Sequence, residues 1–186
     1  MSDLSDLIRH RSGERLARLM SALDVLAPQL AEAAERILET CLQGHRVYLC
    51  PQRDTLPLAE QMTGLLLRGA LQPRPGLPVI LLPPLFGDTP ACGLQISGLA
   101  SPGDLLFALG GERHKGLETL VECAHEQGVH IVLFGANLPE HVIGQLRDDD
   151  LLIGYDATCP LTLRQTQMAS VHALCEALDH RLLGLA

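Results

Sequence analysis

The sequence predicts an α/β fold: a three-layer αβα sandwich around a five-stranded parallel sheet, with a long helical arm at the N-terminus. Three observations lead there. Strand segments at 47–50, 77–82, 104–109, 130–134 and 151–153, apolar but for Asp104 and His130 at their first positions, alternate with helix-periodic segments, as strands do when crossover helices bury both their faces. Hydrophobic residues make up 47% of the chain but aromatics only 3%, with no Trp, which suits helices on aliphatic strands better than an aromatic-rich all-β core. The length of 186 residues fits one domain able to bury most of its apolar surface, with residues 1–43 as the arm and 44–186 as the α/β core.

In the arm, Leu4, Leu7, Ile8, Leu16, Leu19, Met20 and Leu23 fall at helical spacings. Pro28 fits the first turn of a second helix carrying Leu30, Ala33, Ala34, Ile37, Leu38 and Cys41, and Gly44 ends it. So long an apolar stripe needs a cover, either its own core or a partner subunit. The first strand, 47–50, is followed by a helix over 56–71 that offers Leu58, Met62, Leu65, Leu66 and Leu67 for burial. Pro83 and Pro84 stop the second strand, and 87–98 reads as an irregular segment with room for one short helix. The third strand leads to a helix over 116–127 and the fourth is turned out by Gly135; a helix over 138–146, the fifth strand and a closing helix over 163–183 complete the chain.

Several functions are disfavoured at once. A formal charge of −8 does not suit a phosphate-backbone binder, so no direct nucleic-acid partner is expected. The longest apolar run, 77–86, is broken by three prolines and falls short of the roughly 20 residues that span a bilayer. The first residues, rich in Asp and Arg, lack the apolar core of a signal peptide, and a cytoplasmic chain with no membrane contact is expected. Six scattered cysteines form no C-x-x-C pair and read as small buried apolar residues. His125-Glu126 followed by His130 misses the H-E-x-x-H zinc spacing by one residue, which puts the imidazoles on different helix faces. No metal or cofactor is expected.

The third strand empties through Gly110-Gly111 into the charged loop Glu112-Arg113-His114-Lys115 just before a helix. In open parallel sheets ligands bind beyond such strand ends. The loop has no hydroxyl, so it suits ion pairing or an interaction surface as well as anion binding.

Leu26-Ala-Pro28, Leu49-Cys50, Arg74-Pro-Gly-Leu-Pro78, Pro102-Gly-Asp-Leu-Leu106 and Leu174-Cys-Glu-Ala-Leu-Asp179, in that order and spacing, resemble the SIS (sugar isomerase) domain family. The resemblance lies with the branch of phosphoheptose isomerase and the DnaA initiator-associating protein, covers nearly the whole chain, and implies an SIS-type, Rossmann-like sheet. The family's site motifs are almost all replaced. Its C-G-N-G-G-S after the first strand becomes Cys50-Pro-Gln-Arg-Asp-Thr55, where only Thr55 keeps a hydroxyl; its metal-binding His and Glu on the next helix become Gln61 and Leu65. Its S-T-S-G-N-S phosphate loop becomes Gly110-Gly-Glu-Arg-His-Lys115, in which Glu112 would repel a phosphate. Its Arg-Ile-Gln-Glu segment becomes Thr162-Leu-Arg-Gln165, followed by Gln167 and His172, the last alone being a ligand-type residue. The stretch between Leu82 and Pro102 is shorter than the family's, which there borders the active site.

Isomerisation needs an acid and a base across the carbonyl carbons and a group that polarises the oxygen. Glu60, Glu112, His114 and His172 are conceivable acid–base groups, but no set survives, so no catalytic residue is assigned. The favoured expectation is a non-catalytic, homo-oligomeric (dimeric or tetrameric) interaction protein resembling the DnaA-associating branch, with exposed Leu182 and Leu183 as contacts. The alternative is a sensor of a sugar phosphate or other anion, bound by Gln52, Arg53, Thr55, Gly110, Gly111, Arg113, His114 and Lys115; a solvated rim in which Asp54 and Glu112 pair with those cations competes with it. A working phosphoheptose isomerase comes third.

Overall fold

A computed structural model of the chain describes residues 3–84, 90–113, 115–157 and 159–184. The elements follow the order α1 (Leu4–Leu42), β1 (Val47–Pro51), a 3-10 turn (Arg53–Thr55), α2 (Leu56–Arg68), β2 (Val79–Leu81), α3 (Pro90–Leu99), β3 (Leu105–Leu109), α4 (Leu117–Glu126), β4 (His130–Ala136), α5 (Glu140–Ile143), β5 (Leu151–Tyr155) and α6 (Pro160–Leu183). The strands form one parallel sheet in the order β2-β1-β3-β4-β5. The three-layer α/β reading therefore holds.

Alternate side chains of each strand feed two cores. Val47, Leu49, Phe107, Phe134 and Ile153 meet α1, α2 and α6 on one face; Tyr48, Cys50, Leu106, Leu133 and Val142 of α5 pack with α3 and α4 on the other. On the first face Phe107 and Phe134 stack edge to face at 6.5 Å, and Tyr155 flanks Phe134 at 6.1 Å. On the second, fully buried Tyr48 donates its hydroxyl to the Leu99 carbonyl at 2.8 Å, so its one polar atom is satisfied inside the core.

Pro28 does not divide the arm. α1 runs unbroken from Leu4 to Leu42 with Pro28 inside it. An interior proline costs a helix about 3 kcal/mol, but Leu26, Leu30, Ala33 and Ile37, at spacings of four, three and four around it, are 0–5% exposed. Burial of each large aliphatic is worth about 1.5–3 kcal/mol, so packing outweighs the break. Other boundaries shift for local reasons. The helix over 56–71 ends at Arg68, where Gly69 adopts φ 91° and Leu67 stays exposed. The helix over 138–146 shrinks to the single turn of α5. The 87–98 segment holds a regular helix, α3, that buries Cys92 and Ile96; residues 85–89 lie outside the described residues. Cys41, Cys123 and Cys159 are only partly buried, unlike Cys50, Cys92 and Cys175.

Carboxylates secure the sheet's N-terminal edge. Asp104 accepts the N–H groups of Arg46 (2.8 Å) and Ser101 (2.9 Å), and Asp150 accepts those of Ile131 (2.9 Å) and Arg147 (2.8 Å). His125 turns to Asp150 at 2.7 Å and His130 to Asp149 at 3.2 Å, so the two imidazoles serve different carboxylates. Among the described residues no helix is long and apolar enough to cross a membrane.

Candidate functional site

The strand order reverses between β1 and β3: the chain leaves β1 toward β2 on one side and returns to β3 on the other. Ligands of open α/β sheets bind at such a switch point, beyond the carboxyl ends of the two strands. Here those ends are Pro51–Gln52 and Leu109–Gly110, the segments singled out from sequence.

Gln52, 4% exposed, spends its whole side chain on the opposite loop. Its Oε1 accepts the Gly111 N–H, its Nε2 donates to the Lys115 carbonyl at 3.0 Å, and its own N–H donates to the Leu109 carbonyl at 3.1 Å. The Thr55 hydroxyl, equally buried, faces the carbonyls of Leu109 at 2.9 Å and Gln52 at 3.2 Å. The Gly110 carbonyl accepts Gln167 Nε2 at 2.8 Å, which ties α6 to the same loop. Gln52, Thr55, Gly110 and Gly111 thus come together, and each is hydrogen-bonded to protein.

The two rim carboxylates meet a cation that the sequence reading did not include. Asp54 and Glu112 both face Arg164, on the first turns of α6, at 3.4 and 3.3 Å. Asp54 also accepts the Glu112 N–H at 2.9 Å, and Arg164 donates to the Asp54 carbonyl. Arg53 and Arg113 are exposed, Lys115 is exposed on the same rim, and His114 lies outside the described residues. Arg164 is the site residue that sequence reasoning missed; Asp54 was read only as a rim carboxylate and Gln167 only as a replaced family position. Asp54 and Arg164 lie 110 positions apart, and no local pattern joins them.

The positions matched to metal ligands also meet. Gln61 Nε2 of α2 lies 2.6 Å from His172 Nε2 of α6, beside the half-buried Leu65. Gln167 is turned away to Gly110. Among the described residues no group of three His, Cys, Asp or Glu side chains could hold a metal. An open cavity of 380 Å³ lies on the other side of His172, between α6 and Arg15, Leu16 and Leu19 of α1. At the strand end, burial pushes the Cys50 thiol well above its ordinary value, which keeps it protonated. Hydrogen bonds from the Thr162 side chain and backbone lower Cys159 at the start of α6.

No protein-family model matches the chain. The phosphoheptose isomerase of Thiobacillus denitrificans is 24% identical over 181 residues, which cover 89% of this chain and 90% of that one. The chain is similar in sequence and in fold to phosphoheptose isomerases. A solved phosphoheptose isomerase from Francisella tularensis shares the SIS fold at a TM-score of 0.80, with 20% identity over 96% of this chain and 99% of that one. A chain of the HobA–DnaA (domain I–II) complex from Helicobacter pylori matches at a TM-score of 0.62 and 16% identity, over 100% of this chain and 99% of that one. The fold is shared along the whole chain, and its strand-end crevice carries hydrogen bonds and ion pairs within the chain.

Proposed function

We propose that this chain is a non-catalytic, cytoplasmic SIS protein, a single domain that self-associates and serves as an interaction or regulatory module like the DnaA-associating branch. The observation that carries this reading is the state of the switch point. Gln52, Thr55, Gly110, Asp54 and Arg164 are each bonded to other groups of the chain around the crevice where a substrate would need them. A buried donor already bonded to protein gives a ligand little unless that bond is broken. The positions matched to the family's metal ligands hold Gln61 and Leu65, and one imidazole, His172, does not make a Lewis-acid centre.

Self-association is supported by α1. Its apolar stripe continues past the body of the fold, and where Leu26 to Ile37 are covered, Leu4, Ile8, Leu16 and Met20 stand 58–74% exposed. Contiguous apolar surface of this kind marks an interaction face. Leu182, expected as an exposed contact, packs instead against the first core, while Leu183 remains at the surface. The likeness to a chain of the HobA–DnaA complex makes DnaA domains I–II the first partner to test.

Size-exclusion chromatography with light scattering is expected to show a dimer or tetramer that Ile8→Asp with Leu16→Asp dissociates into folded monomers. Biosensor binding to DnaA domains I–II of the chain's own organism is expected to need the oligomer. A wild-type monomer that also ignores DnaA would refute the reading.

A further inference from the structure

The carboxylate at the switch point belongs to the chain itself. Asp54, three residues past the end of β1, accepts the Glu112 N–H at 2.9 Å and faces Arg164 at 3.4 Å, while Arg164 reaches Glu112 at 3.3 Å and donates to the Asp54 carbonyl. Gly111 makes the approach possible: a Cβ there would come within 2.6 Å of Asp54 Oδ2 and Cγ, so only a residue without a side chain lets the carboxylate lie against the loop backbone. A backbone N–H and a guanidinium converging on one anionic group, beyond parallel strands where their order reverses, form the donor set that a phosphate or sulfate takes. The contact is not sealed, since the Asp54 and Arg164 side chains are 32% and 42% exposed. On the rim, Arg53 and Arg113 make no hydrogen bond or ion pair among the described residues.

We propose that Asp54 is an internal ligand: its carboxylate occupies an oxyanion site built from the Glu112 N–H and Arg164, and so keeps inorganic phosphate and phosphate esters out. The charge balance agrees. With Asp54 present, two carboxylates face one guanidinium at the contact and the loop N–H is already taken. With Asp54 gone, Arg164 balances Glu112, the N–H is released, and Arg53 and Arg113 tip the rim toward an anion. This goes beyond the interaction-module reading and holds whether or not the chain self-associates.

The test is calorimetric titration of inorganic phosphate, at constant ionic strength with chloride as the control, into the full-length wild type, Asp54→Ala, and Asp54→Ala with Arg164→Ala. Asp54→Ala is expected to bind phosphate at least about tenfold more tightly than wild type, as a charge-assisted site would, and the added Arg164 substitution to remove the gain. Equal affinity in wild type and Asp54→Ala, or a gain that survives loss of Arg164, overturns the proposal. Should Asp54→Ala not fold, Asp54→Ser removes the charge and leaves only a neutral hydroxyl that phosphate can displace from the loop N–H; a gain over wild type is again expected. Wild-type affinity in a folded Asp54→Ser chain overturns the proposal equally.

Discussion

The two ends of α2 are each joined to α6 by an aspartate and an arginine, yet the two joints do different work. At the C-terminal end Asp179 of α6 accepts the N–H groups of Ala70 (2.6 Å) and Leu71 (2.8 Å) and pairs with Arg74 at 2.6 Å, both side chains being at most 2% exposed. At the N-terminal end Asp54 and Arg164 pair at 3.4 Å with 32% and 42% of their side chains in water. The buried joint holds the fold, because losing one partner strands a charge without solvent. The open joint holds little energy and instead lies across the switch point beyond β1 and β3. Halfway along, Gln61 and His172 touch at a position that matches the family's metal ligands. One helix pair thus keeps its structural clamp and carries a changed site.

The largest test of this contrast is Arg74→Ala. It leaves buried Asp179 without its cation and is expected to cost about 3–5 kcal/mol in urea unfolding. A loss no greater than that of Arg164→Ala would erase the distinction. Next comes Gly111→Ala, whose Cβ runs into the Asp54 carboxylate. It is expected to cost about 1–3 kcal/mol in wild type, and clearly less when Asp54→Ala is already present. Equal costs in the two backgrounds would mean that the crowding lies elsewhere.

Acid then separates the joints by their titration. Burial by itself raises the Asp179 pKa, but hydrogen bonds from Leu71, Arg74 and Ala70, with the Arg74 charge, hold it below its ordinary 3.8. A carboxyl depressed in the folded state stabilises fully above its unfolded pKa and loses that contribution as pH falls through the folded value. Wild type should therefore lose more stability than Arg74→Ala on acidification below pH ~4, as read by melting temperature across pH. Parallel curves would contradict the role given to Asp179. The smallest expected effect is that of Arg164→Ala, about 0.2–1 kcal/mol, reduced further by salt, since an exposed pair is screened.

The fold was largely legible because its signals are local. Runs such as Leu105 to Leu109 have no polar member to expose, and helices such as α4 keep Leu117, Leu120, Val121 and Ala124 on one side. Where the reading failed, tertiary contacts overrode local chemistry. Pro28 was outweighed by the leucines packed around it. α3 was legible only as room for one short helix, because its apolar residues are spread around the helix among Pro90, Gly93 and Gly98. The place of the candidate site was legible for the same local reason, as two strand ends flanked by Gln52 and Gly110-Gly111. Its filling was not, because Asp54, Glu112 and Arg164 come from three separate segments, and choosing Arg164 over the nearer Arg53 and Arg113 requires the way α6 lies across β1 and β3.

The most direct test of the central claim, that an SIS scaffold here carries a site given over to internal contacts, is a turnover assay with sedoheptulose 7-phosphate and added zinc. The account predicts no isomerisation above a protein-free blank at any zinc concentration. Turnover that scales with protein and disappears in His172→Ala would contradict it.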